Sequence, residues 1–207
     1  MSPSLHCRAL PDSTPLGRGF YQNETVTVAR SLLGRLLLRQ LPEGLAAVRL
    51  VEVEAYLGVE DPAAHTFRGR RTDRVRSMWG EAGHLYVYFT YGMHHCANVV
   101  TRGPEVPEAV LLRGARPVAG VEAMLARRHG RGGASLLDGP AKLCQALDID
   151  RALDGADLVA PGRVWIADDG FRFDPGLVIS GPRIGVGYAG EAARWPLRFR
   201  LSPDAFR

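Results

Sequence analysis

Lysine is nearly missing from this chain. Of the 26 basic residues, Lys142 is the single lysine and the rest are arginine. Chemistry that needs a lysine amine as nucleophile, such as a Schiff base, is left with one side chain or the α-amino group. Cysteine is also scarce. Cys7, Cys96 and Cys144 are odd in number and none has CxxC spacing, which argues against a disulfide framework and for a reducing compartment. No apolar run approaches the roughly 20 residues that cross a membrane. The first residues carry no apolar core of signal-peptide length. A cytoplasmic protein without a membrane partner is therefore expected.

The chain does contain enough apolar residues, 46% of 207, to build one ordinary core. Residues 1–17 are rich in Pro, Ser and Thr and read as a loose tail; residues 18–207 read as one domain. A net charge of +4 and a pI of about 9.2 favour a polyanionic partner only mildly.

Apolar spacing predicts a helix over Val26–Leu33, capped by Asn23 or Thr25 and ended by Gly34. Two strands follow, Arg35–Leu41 and Ala46–Leu57, joined at Pro42-Glu43-Gly44. In the second, Val51, Val53, Ala55 and Leu57 alternate with Glu52, Glu54 and Tyr56, which separates a core face from a polar one. Residues 58–78 read as a long arginine-bearing loop, with a short helical turn near Asp61-Pro62. Leu85–Thr90 and His94–Thr101 form a hairpin around Gly92, with Tyr91 and Met93 at its tip. Ala109–Ala115 is a buried strand interrupted by Arg113. Helices are expected over Val118–Arg128 and after Pro140. Short strands are expected at Arg163–Ala167, Leu177–Ser180, Arg183–Val186 and Leu197–Leu201. Strands without regular crossover helices indicate an α+β fold with a largely antiparallel or mixed sheet, flanking helices and a protruding β-hairpin.

The stretch from Val51 to Asn98 joins acids, arginines and tyrosines, and together they suggest a site that handles a nucleic-acid base. Alone, Glu54 would read as an exposed strand carboxylate. Beside a loop that binds phosphates it would weaken binding, so it is better explained as a general base on water, with Glu52 as the competing choice. Arg68, Arg70, Arg71, Arg74 and Arg76 read either as a solvated loop or as phosphate contacts. Tyr86, Tyr88 and Tyr91 read either as packing or as stacking platforms, and Tyr91 could wedge into a duplex. His65, His94, His95 and Cys96 lack zinc-ligand spacing. IGVGYAG satisfies GxGxxG but leaves no room for the helix and acid of a dinucleotide site, so close backbone packing is the better account of its glycines.

EAYLGVEDPAAH, LYVYFTYGMHHCAN, VLLRGARP, GPAKLCQAL and RIGVGYAGE, in this order across roughly Gly19 to Leu201, resemble the alkyladenine (3-methyladenine) DNA glycosylase family. The resemblance implies a single domain with a curved antiparallel sheet, acting without cofactor or metal. Such a protein binds double-stranded DNA through the minor groove and flips a damaged purine into a pocket. It hydrolyses the N-glycosidic bond and leaves an abasic site. By motif position, Glu54 would activate the water, with Arg113 and the main-chain carbonyl of Ile184 helping to hold it. Tyr56, His65 and Tyr88 would hold the flipped base, and Asn98 would line the pocket and disfavour guanine. Tyr91 would fill the gap in the duplex beside Met93. Arg70, Arg74 and Lys142 are the expected backbone contacts. The chain departs from the family pattern at His94-His95, Tyr188 and Asp73. A monomer associated with the nucleoid through DNA is expected.

Two other classes remain open to the sequence. A metal-dependent nuclease using Glu52, Glu54 and Asp61 would lose activity with chelator and cut strands directly. A non-catalytic binder would release no base, with or without Glu54.

Overall fold

A computed structural model describes residues 13–207. Its nine strands form one sheet in which every pairing is antiparallel. They are β1 (Thr14–Pro15), β2 (Leu36–Leu41), β3 (Gly44–Tyr56), β4 (Leu85–Thr90), β5 (His94–Gly103), β6 (Val106–Ala119), β7 (Val164–Asp168), β8 (Val178–Gly181) and β9 (Arg198–Leu201). The order β1-β7-β2-β3-β6-β5-β4 leaves the sheet open, and β9 adds a branch by pairing with β3 and β8. The helices are α1 (Arg18–Tyr21), α2 (Thr25–Leu32), α3 (Val121–Arg127) and α4 (Pro140–Ala146). The expected α+β class is observed, and the sheet is antiparallel rather than mixed.

The strand β3 sets the layout. In its first half Ala46, Val48 and Leu50 face the main core; in its second half Val53 and Ala55 do. The change of parity comes from an extra residue. Leu50 pairs with Ala115 and Glu52 with Gly114, so Val51 is left over. The partner strand answers at once: Glu52 pairs with Gly114 and Val53 with Leu112, so Arg113 is left over on β6. A bulge bends a strand and re-aims its side chains. Here the two bulges turn Glu52, Glu54 and Tyr56 away from the core and leave Arg113 beside them. The alternation expected from Val51 to Leu57 is therefore observed, with Val51 and Leu57 packed against the same core as Val53 and Ala55.

The strands β4 and β5 follow simple parity, and so does β6 up to Arg113. Leu85, Val87, Ala97, Val99, Val110 and Leu112 enter the main core with α2 and α4. Tyr86, Tyr88, Cys96, Asn98, Ala109, Leu111 and Arg113 occupy the opposite face. The free edge of β4 is covered by residues 151–156: Leu85 N–H donates to Ala156 O, Gly155 N–H to Leu85 O, and Val87 N–H to the Asp154 carboxylate.

Several boundaries differ from those expected. Thr14–Pro15, inside the expected tail, pairs with β7; residues 1–12, with Cys7, lie outside the described residues. The N-cap of α2 is Glu24, without a side-chain cap, because the Asn23 amide turns back to Gly19 O and Phe20 O. The strand β6 runs to Ala119 because it stays paired with β3, and α3 begins only after Gly120. Gly120 has φ +73, and a Cβ there would lie 2.9 Å from Ala46 Cα, so the switch from strand to helix needs glycine. Residues 58–79 contain three short 3-10 turns. The segment 183–186 is not a strand, since its Arg183 is anchored in the interior and Gly185 has φ +78.

Candidate active site

A cavity of about 340 Å³ opens on the face of β3–β6–β5–β4 opposite the core. This lies at the small end of the range for small-molecule sites. Its walls include Tyr56, His65, Tyr86, Tyr88, Asn98, Arg113, Ile184 and Tyr188. Every pocket residue expected from the sequence except Glu54 is thus at the surface of one cavity.

Glu54 stands immediately behind that wall with 0% exposure. The Ile184 N–H donates to Oε1 at 2.9 Å, the Tyr56 hydroxyl donates to Oε2 at 2.9 Å, and Arg113 Nε lies 3.6 Å from Oε1. Burial raises the proton affinity of Glu54, opposed by Arg113, the Ile184 N–H and Tyr56, and reinforced by Glu52. The observed contact of Ile184 with Glu54 is through its N–H; the carbonyl was the group implied by the resemblance. Arg113 Nε donates to Glu52 Oε1 at 2.9 Å, and Arg198 Nη1 of β9 lies 3.5 Å from the same oxygen.

The aromatic walls hold each other in place. His65 Nδ1 and the Tyr86 hydroxyl are hydrogen-bonded at 2.9 Å, and the His65 ring meets Tyr88 edge-on with centroids 4.6 Å apart. Burial, then Arg74 and Arg70, lower the His65 pKa to about 4, so the imidazole is neutral. Burial pushes the Tyr86 phenol up to about 12 and raises those of Tyr56 and Tyr88 further. All three phenols keep their protons. Tyr88 has Cys96 as its direct cross-strand partner, and both line the cavity. The Asn98 amide is pinned by donating from Nδ2 to Tyr86 O at 3.1 Å. Sequence reasoning gave Cys96 no place in the pocket and left Tyr86 undecided. The parity of Tyr86 with Tyr88, and the register of Tyr88 with Cys96, was the available signal.

Arg183 and Asp61 form a fully buried ion pair beneath Tyr56. Arg183 Nη2 donates to Asp61 Oδ1 at 2.9 Å, and Nη1 bonds to Oδ2 and, at 3.0 Å, to Ala55 O. Asp61 is thereby committed to Arg183 and to the N–H groups of Leu57 and Ala63. Among the described residues no three His, Cys, Asp or Glu side chains gather as a metal site, so the donor set of the nuclease reading is not assembled. The glycines of IGVGYAG are not close-packed as expected. A Cβ at Gly185, Gly187 or Gly190 would meet nothing within 4 Å, and the requirement at Gly185 and Gly190 is positive φ.

Around the mouth the surface is aromatic and cationic. At the hairpin tip Tyr91 is 84% and Met93 70% exposed. Tyr91 and Gly92 both have positive φ, 50° and 68°. Across the mouth Tyr188 is 71% exposed and donates its hydroxyl to Ala63 O at 3.0 Å. All five arginines of the expected cluster are exposed. Arg71 is paired with Glu105 and Arg76 with Asp73, whereas Arg68, Arg70 and Arg74 have no carboxylate partner among the described residues. The Arg74 guanidinium lies 5.4 Å from the Tyr88 ring centre, at the cavity. Lys142 pairs with Asp138 near the start of α4.

Comparison with known proteins gives a consistent result. The family described as Methylpurine-DNA glycosylase (MPG) matches residues 19–205. A provisionally named 3-methyladenine DNA glycosylase of Bdellovibrio bacteriovorus is 43% identical over 92% of this chain and 97% of its own. One from Streptomyces avermitilis, named in the same provisional way, is 46% identical over 95% and 92%. The human DNA-3-methyladenine glycosylase is 43% identical over 90% of this chain and 65% of its own.

Proposed function

The chain belongs to the methylpurine-DNA glycosylase family and is a DNA glycosylase of base excision repair, and from that premise we propose how it acts. It removes alkylated or deaminated purines, 3-methyladenine among them, from duplex DNA by hydrolysis with a Glu54-activated water. The observation that carries this reading is a buried carboxylate, held by two hydrogen bonds and flanked by the Arg113 guanidinium, directly behind an aromatic cavity.

A base inside a duplex cannot reach such a cavity, so the nucleotide must leave the stack. That costs a few kcal/mol and least for a damaged base. Tyr91, projecting from the hairpin beside Met93, fills the gap. Arg70, Arg74 and Lys142 take phosphates, Lys142 by exchanging Asp138. The flipped purine lies between Tyr56, His65 and Tyr88, whose π-faces suit an electron-poor or cationic ring, while Asn98 disfavours guanine. Arg113 and the main chain of Ile184 hold the water. Its oxygen bonds to C1′, its proton goes to Glu54, and the C1′–N bond breaks with its electron pair leaving on the base. The oxocarbenium-like state on this path is stabilised by the same carboxylate. No cofactor takes part, and because one chain builds the whole site, a monomer suffices.

The test is incubation with duplexes carrying hypoxanthine, 1,N6-ethenoadenine or alkylated purines in EDTA. Free base should appear, with strand breaks only after alkali. Glu54→Gln should slow single-turnover release by roughly 10²- to 10⁴-fold, the usual contribution of a general base. Unchanged release would remove Glu54 from the role.

A further inference from the structure

We propose that Glu52 is a positioning residue for this reaction: it takes the Nε edge of Arg113, so that the guanidinium steadies Glu54 without capping it. The inference rests on the reading of Glu54 as the base.

Arg113 Nε carries one hydrogen, and two carboxylates compete for it. Glu52 Oε1 is at 2.9 Å and Glu54 Oε1 at 3.6 Å, so Glu52 wins. Without Glu52, the nearest acceptor would be the fully buried Glu54. A direct charge-assisted bond there would hold Glu54 ionised but weaken it as a proton acceptor. With Nε occupied, the Nη edge of Arg113 has no protein acceptor among the described residues, and Arg113 lines the cavity.

The strands are shaped around this contact. Glu52 and Arg113 meet where the register shifts, each displaced by a bulge. Gly114 lies opposite Glu52, and a Cβ there would come within 3.2 Å of Glu52 Cβ and 3.5 Å of Oε2. The missing side chain keeps the space that the Glu52 carboxylate occupies. Arg198, opposite Glu54 in register on β9, closes the outer side of Glu52.

Charge acts in the same direction as geometry. The groups facing Glu54 are Arg113 on β6, Glu52 and Tyr56 on β3, and the Ile184 N–H; Arg198 lies on β9 and the Cys96 thiol on β5. Arg183 reaches it only through the Tyr56 ring. Among the ionised groups, Glu52 alone repels the Glu54 charge.

The experiment measures single-turnover base release against pH, DNA affinity and thermal unfolding for Glu52→Gln, Glu52→Asp and Gly114→Ala, with Glu54→Gln as control. Glu52→Gln should lower the plateau rate roughly 10- to 100-fold, as small misplacements of reacting groups do, and move its acid limb to lower pH. Glu52→Asp keeps the charge but shortens the reach, so the plateau should fall while the limb stays. Gly114→Ala should behave like Glu52→Asp. DNA affinity should stay within about threefold, because none of these side chains is placed against phosphate. A parental plateau and limb in Glu52→Gln, or a rate loss matched by loss of folded protein in all three variants, overturns the proposal. If Glu54→Gln is inactive and Glu52→Gln is not impaired, only the role of Glu52 falls. If Glu54→Gln is active, the reading of the base falls and takes this proposal with it.

Discussion

The Arg183 guanidinium lies 4.7 Å from the centre of the Tyr56 ring while bonding both oxygens of Asp61. One buried cation thus ties three segments that meet at the cavity: the end of β3, the turn carrying Asp61, and the residue before Ile184. Arg183→Met leaves the Asp61 charge buried and unmatched, which typically costs about 3–5 kcal/mol. For a chain of this size that corresponds to a fall in Tm of roughly 10 °C. Thermal unfolding checks it. A loss below about 1 kcal/mol would mean that the tie does not bear on the fold.

Glu54 must be ionised to accept a proton, and burial raises its pKa from the ordinary 4.5. Activity should therefore be lost as pH falls through that raised value. The acid limb of kcat/KM for base release should stand above the position of an exposed glutamate. A limb at or below the ordinary glutamate value would contradict the assignment.

His65 gives a stability signal with a fixed sign. Its pKa is lowered from 6.5 to about 4, so its contribution to stability is complete above pH 6.5 and lost as pH falls towards 4. The ceiling is about 3 kcal/mol, at 1.36 kcal/mol per pKa unit. Urea unfolding of the protein and of His65→Gln between pH 7 and 4 isolates it. The difference in stability between the two should shrink on acidification; a constant gap would show that His65 is not held neutral.

Tyr91 sits at φ 50°, a region that costs a bulky side chain on the order of 1–2 kcal/mol. Its side chain is 84% exposed and loses little by truncation in the free protein. Tyr91→Asn should consequently leave Tm unchanged or raise it, while base release from duplex DNA falls. Release from a single strand, where no gap needs filling, should fall less. Equal losses on both substrates would remove the wedge role.

The exposed Arg74 guanidinium lies 5.4 Å from the centre of the Tyr88 ring, and among the described residues it has no carboxylate partner. If it meets a phosphate, Arg74→Gln should reduce the slope of log affinity against log salt by about 0.9. Titrations at several salt concentrations measure it. An unchanged slope would place Arg74 inside the pocket chemistry and off the DNA backbone.

Much of this arrangement is legible in the sequence. The alternation in β4 separates Leu85 and Val87 from Tyr86 and Tyr88, because a strand without interruption has only one parity. What could not be read was where parity breaks. Nothing in RLVEVEAY marks Val51 as an extra residue; the register is set by β6, distant in sequence. The same holds for Arg183, whose segment looks like a strand locally and is overruled by its buried bond to Asp61, 122 positions away. The glycines of IGVGYAG resembled packing glycines because sequence alone does not separate a crowded glycine from a left-handed one.

The leftover residue in β3 has a consequence for how this protein tolerates change. A chain lacking Val51 alone would pass from Leu50 straight to Glu52, and plain alternation would still send Val53 and Ala55 inward and Glu52, Glu54 and Tyr56 outward. A residue added beside Val51 would instead reverse every side chain beyond it. Gain and loss at this place are therefore unequal: one codon fewer keeps the faces, whereas one codon more turns the strand inside out, and the site would be lost with none of its members missing.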